Sequence, residues 1–137
     1  IGIDSHPHAL GADIHLDLSQ RVALRIFASN QLDYVFSSHL LEDFPNPSDT
    51  LEEWCRVVRV GGYIVLYLPH GDLYPKPGTP EANPNHKVAL YPDYVANILV
   101  KFGFTIIRNQ TYDNYQRWIS NEYSFEIIAK KRISYEG

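Results

Sequence analysis

Residues 32–69 constrain this chain more than any other stretch, because they read as strand, tight turn, amphipathic helix, glycine turn, strand. Leu32-Asp33-Tyr34-Val35-Phe36-Ser37 is a short apolar run that stops at Ser37-Ser38-His39, and residues 63–68 are apolar at every position up to Pro69. A strand apolar on both faces belongs inside a parallel sheet covered by helices. Strand, crossover helix, strand is the unit that builds such sheets. The pattern therefore predicts an α/β fold. In these sheets ligands bind beyond the carboxyl ends of the strands. Ser37-Ser38-His39 and His70-Gly71-Asp72 lie just past the two strands, where chemistry is expected.

The helix between the strands is well punctuated. Pro45-Asn46-Pro47 stops what precedes it, and Thr50 with Glu53 three residues on fits a capping box. Leu51, Trp54, Cys55 and Val58 share one buried face. Arg56 and Arg59 suit its negative end, and Gly61 suits a left-handed cap. Upstream, residues 1–4 read as a short strand ending in Asp4, and residues 12–18 as a half-buried strand with Ile14, Leu16 and Leu18 on one side. Residues 20–31 fit either a short helix or a packed loop. Downstream, residues 70–90 form a proline-rich loop of the length that functional loops have. A helix follows, opened by Pro92, burying Tyr94, Val95, Ile98, Leu99 and Phe102, and ended by Gly103. Strands are expected over residues 104–107 and 122–131.

With 137 residues the chain fits one domain. A net charge of -4 makes a nucleic-acid backbone an unsuitable partner. No basic cluster marks a membrane surface, and no apolar run reaches the roughly 18 residues that a span requires. The single cysteine, Cys55, excludes an internal disulfide framework and fits a reducing, cytoplasmic setting. Its place in the helix pattern makes it a buried small hydrophobe. The chain opens on Ile1 and contains no Met, with Ile1-Gly2-Ile3-Asp4 already strand-like. It is expected to be part of a longer polypeptide.

Several residues bear chemistry. Asp4 closes an apolar run, where an acid suits the two hydroxyls of a ribose or else binds its own turn backbone. Asp17-Leu18 closes the next strand, where the acid suits an exocyclic amine of adenine and the leucine its face; the alternative is a solvated turn acid. Ser37-Ser38-His39 pairs hydroxyls with an imidazole, but no glycines flank the serines as a nucleophile elbow requires. These residues read better as pocket lining. His86, in the long loop, is a candidate base or a plain surface histidine. His6, His8 and His15 have ligand-like spacing but no Cys near them, so no metal site is expected.

Taken together, these residues resemble a class I S-adenosylmethionine-dependent methyltransferase, most closely the small group found with glycan-biosynthesis enzymes. Gly2-Ile3-Asp4 resembles the family's second strand, and Ala12-Asp13-Ile14-His15-Leu16-Asp17-Leu18 its third. Leu32-Asp33-Tyr34-Val35-Phe36-Ser37-Ser38-His39-Leu40-Leu41-Glu42 resembles the fourth strand and its turn, and Arg59-Val60-Gly61-Gly62-Tyr63 the entry to the fifth. His86-Lys87 and Gly103-Phe104 also fit. The resemblance departs at Asp43, where the group often has His, and lacks the glycine-rich loop after the first strand. It implies a Rossmann-like, mostly parallel sheet with an antiparallel last strand, flanked by helices. It implies one methyltransferase-like domain over residues 1–137 without its N-terminal strand and helix, so that the sheet carries a gap there or another element fills it.

The implied cofactor is S-adenosylmethionine, held by Asp4, Ser5, Asp17, Leu18, Ser37 and Ser38. His39 or His86 would deprotonate the acceptor, a small molecule such as a sugar hydroxyl. The rival readings are a non-catalytic methyltransferase-like module of a larger protein and a dinucleotide or nucleotide-sugar enzyme on the same type of sheet.

Overall fold

The computed structural model describes residues 3–4, 13–15, 23–73, 77–80, 84, 87–112 and 123–134, with only the backbone described for Asp4, Ile14, His15 and Ala23. In chain order the strands are β1 (Ile3–Asp4), β2 (Ile14–His15), β3 (Leu32–Ser38), β4 (Val58–Pro69), β5 (Phe104–Tyr112) and β6 (Ser124–Lys131). The helix α1 (Pro47–Val57) joins β3 to β4, and α2 (Pro92–Lys101) precedes β5. Short 3-10 helices occupy Ala23–Ile26, in the stretch that read ambiguously, and Leu41–Asp43.

β1 and β2 pair in parallel as one small sheet, and the other strands form a second in the order β3-β4-β6-β5. β3 and β4 are parallel, while β6 runs antiparallel to both of its neighbours, β4 and β5. Three strands of the larger sheet therefore share one direction and the last is reversed, as expected. Among the described strands, β3 has a hydrogen-bonded neighbour only in β4, so its outer edge is open.

Alternation decides which face is covered. Val35, then Ile64, Leu66 and Leu68, then Phe125, Ile127 and Ala129, join Leu51, Trp54 and Cys55 of α1 and Val95, Ile98 and Leu99 of α2 in one apolar cluster. Both described helices thus pack on this face. The opposite face carries Tyr34 and Phe36 of β3, 64% and 63% exposed, with Tyr63 of β4 beside them.

Local structure corrects several sequence expectations. Helix α1 starts earlier than the Thr50 capping box implies. Pro47, whose ring presets a helical φ, takes the first turn, and Thr50 Oγ1 bonds back to the Asn46 carbonyl at 3.4 Å. The helix also ends before Gly61, with Val58 already extended. Gly61, at φ 84°, instead serves a bulge in β4, where pairing jumps from Leu32–Val58 to Tyr34–Tyr63. At Gly62 an added Cβ would meet the Asp33 carbonyl at 2.5 Å, so this crossing needs a residue with no side chain. Arg59, expected at the helix end, reaches across the bulge to Asp33 at 2.9 Å.

The end of α1 is served from elsewhere. Lys131 of β6 is buried, and its ammonium donates to the carbonyls of Cys55 at 2.6 Å and Val58 at 2.7 Å. Orphan carbonyls at a helix C-terminus favour such a cation. Burial pulls the Lys131 pKa down. In α2, Tyr94 is exposed rather than buried, and Ala96 takes its place on the inner face.

Candidate active site

Ligands of such sheets bind beyond the carboxyl ends of the strands, which makes the ends of β1 and β2 and of β3 and β4 the candidate positions. Asp4 is the last residue of β1 and pairs with His15 of β2. Ser5, Asp17, Leu18 and His86 lie outside the described residues.

The tip of β3 is fully described. Successive residues of a strand face opposite sides. Ser37 therefore points into the helix-covered side, 7% exposed, and its Oγ is buried without a hydrogen-bond partner among the described residues. Ser38 points the other way and is exposed. The two serines do not present their side chains to a single pocket.

His39 follows with φ 49°, a left-handed conformation uncommon for a residue with a Cβ. The turn lets its N–H donate to the Tyr67 carbonyl at 2.8 Å, one step past the β3–β4 ladder. It also lays the imidazole beside the Tyr67 ring, 5.4 Å between centroids. Nε2 lies 3.1 Å from Ser124 Oγ at the start of β6. Nδ1 lies 4.0 Å from Glu42 Oε1.

Glu42 sits on the 3-10 helix Leu41–Asp43 and is fully buried. Burial pushes its carboxyl up from 4.5 to about 7; a backbone hydrogen bond opposes this, and the charge of Asp43 adds to it. The Glu42 carbonyl accepts from the N–H groups of Lys87 and Val88, pinning the end of the long loop here. Neither Glu42 nor Ser124 stands out as a site residue from sequence. Glu42 is a fully buried acid whose only signal was its place in the strand-turn motif, and Ser124 is 85 residues from His39.

His70, also expected at the sheet's carboxyl edge, is tied down. Its Nδ1 accepts from the Asp72 N–H at 3.1 Å, and its ring meets Tyr91 and Phe125 edge-on. Further along this edge a cleft of about 480 Å³ opens between the starts of α1 and α2, lined by Pro45, Asn46, Pro47, Leu90, Tyr91 and Tyr94 among others. Among the described residues, no three His, Cys, Asp or Glu groups assemble as a metal site, and no helix is long and apolar enough to cross a membrane.

The strand order and the reversed last strand define a class, the Rossmann-like methyltransferase fold. Comparison with known proteins gives the same answer. Residues 2–66, from β1 into β4, match the family model described as a methyltransferase domain. Among solved structures, the chain is similar to a SAM-dependent methyltransferase from Archaeoglobus fulgidus, with a TM-score of 0.68 at 16% identity, covering 95% of this chain and 75% of that one. It is similar to the Burkholderia thailandensis 1,6-didemethyltoxoflavin-N1-methyltransferase, which was solved with bound 1,6-didemethyltoxoflavin and S-adenosylhomocysteine. That likeness has a TM-score of 0.61 at 15% identity and covers 90% of this chain and 53% of that one. The cyclase SpnF has the same fold, with a TM-score of 0.66 at 12% identity over 90% of this chain and 57% of its own. The chain thus spans between about half and three quarters of these proteins. No curated protein sequence matches it significantly. The fold is that of the S-adenosylmethionine-dependent methyltransferases, and S-adenosylmethionine is the cofactor of that class.

Proposed function

We propose that this chain carries out S-adenosylmethionine-dependent methyl transfer to a small-molecule acceptor, with a sugar hydroxyl as the acceptor class. The observation that carries this is the family match over residues 2–66, since Asp4, Ser5, Asp17, Leu18, Ser37, Ser38 and His39 all lie inside it. The described part of the edge suits such a cofactor: it holds an acid at the tip of β1 and an exposed Ser38 hydroxyl at the tip of β3.

When bound, S-adenosylmethionine supplies an electrophilic methyl on a sulfonium. The chain's part is to hold and orient, which is how positioned groups accelerate a displacement. Asp4 would accept from the ribose hydroxyls, and Ser5, Asp17 and Leu18 would flank the adenine. Ser38 by its side chain and Ser37 by its backbone would line the donor pocket. His39 or His86 would take the acceptor's proton. Among the described strands the outer edge of β3 is open, and Tyr34 and Phe36 beside it are exposed, which suits a further element pairing there.

The same open edge favours a second reading, a methyltransferase-like module that binds without catalysing. Fold alone does not decide between them. Isothermal titration of the protein with S-adenosylhomocysteine tests the first reading. Saturable binding supports it, and no binding at millimolar ligand overturns it.

A further inference from the structure

Ser124, His39 and Glu42 come from three separate parts of the chain and meet in one line: Oγ to Nε2 at 3.1 Å, then Nδ1 to Oε1 at 4.0 Å. The two ends of the line are sealed, with Ser124 1% and Glu42 0% exposed, while the His39 side chain keeps 26% of its surface. The left-handed backbone of His39 carries the ring into this position. A backbone held in a sparsely populated region persists where its surroundings over-determine it.

We propose that Glu42 is a positioning residue for His39: its buried carboxyl makes Nδ1 the proton-bearing nitrogen and leaves Nε2, at the Ser124 hydroxyl, as the basic one. The role of the imidazole in methyl transfer rests on the methyltransferase reading above, but the tautomer does not. A ring nitrogen's state is set by what its partner nitrogen faces. With Nδ1–H turned to the carboxyl, Ser124 donates its hydroxyl proton toward Nε2. An incoming proton is then taken up at Nε2, and the Ser124 hydroxyl turns to accept from the new N–H. The imidazolium charge so formed lies beside a carboxyl that can ionise to meet it, so the two groups titrate as a pair. Among the described residues, the other ionisable groups around them are Asp43 on the same 3-10 helix, Tyr67 on β4, and Lys87, whose N–H donates to the Glu42 carbonyl. Beyond Tyr67 come Tyr112 of β5 and Glu126 of β6.

The test is nitrogen-detected imidazole NMR of the protein from about pH 5 to about pH 9, with S-adenosylhomocysteine titrated into the same samples. Wild type is expected to show His39 protonated at Nδ1 when neutral. In Glu42→Gln the titration midpoint of His39 falls by about one pH unit, because a charge partner is lost. An unchanged midpoint, or a wild-type ring protonated at Nε2, overturns the proposal. If Glu42→Gln does not fold, Ser124→Ala decides: the tautomer stays, with a shifted Nε2 resonance, whereas a switched tautomer shows that Ser124 sets it and overturns the proposal. Absence of S-adenosylhomocysteine binding beside an intact tautomer pattern counts against the cofactor reading alone.

Discussion

Replacing Glu42 by Gln should make the protein more stable in mildly alkaline solution and leave it unchanged in acid. The carboxyl is fully buried and its pKa is raised from 4.5 to about 7. A folded-state pKa above the unfolded one means the folded state prefers the protonated form. The stability tied to that proton is complete below about pH 4.5 and is lost as pH rises through about 7. The loss amounts to about 3 kcal/mol at the usual 1.36 kcal/mol per pH unit. A charged His39, 4.0 Å away, offsets part of it, so this is the upper end. Gln keeps the shape and cannot ionise. Urea unfolding of both proteins at about pH 4.5 and about pH 8.5 reads the difference directly. The expected result is near equality in acid and an advantage of about 2 to 3 kcal/mol for Glu42→Gln in base. Parallel profiles, or a variant that loses stability as pH rises, would refute the burial argument.

Three further outcomes follow from packing. Lys131→Met should cost about 2 to 4 kcal/mol in unfolding free energy, because the buried carbonyls of Cys55 and Val58 lose their donor. Cys55 should resist a thiol reagent at about pH 8 in the folded protein and react on unfolding, since burial pushes its pKa to about 12. Gly62→Ala should lower the melting temperature measurably, with a loss of about 2 kcal/mol or more, because the new Cβ meets the Asp33 carbonyl at 2.5 Å.

The fold was legible wherever periodicity and burial agree. Residues 63–68 announced the central strand, and alternation through Phe125, Ile127 and Ala129 announced β6, all three with no exposed surface. Helix ends were less legible, because the signals compete. Thr50 offered a capping box, but a proline three residues earlier already sets a helical φ. Gly61 looked like a cap, yet the donor for the carbonyls of Cys55 and Val58 comes from Lys131, a contact between distant segments that no local pattern encodes.

The candidate site was legible in part for the same reason. Ser38 and His39 could be placed at a strand tip from sequence alone. That Ser37 turns into the core follows from the pleat only once the register with Leu66 is known. The contact of His39 with Ser124 depends on β6 lying beside β4, which is a matter of topology.

The central claim is that one adenosyl group is held between the tips of β1, β2 and β3. Chemical-shift mapping of the protein with S-adenosylhomocysteine tests it most directly. Perturbations are expected to concentrate at Asp4, Asp17 and Leu18 and at Ser37, Ser38 and His39. Perturbations confined to the cleft around Tyr91 and Tyr94, or none at saturating ligand, would contradict it.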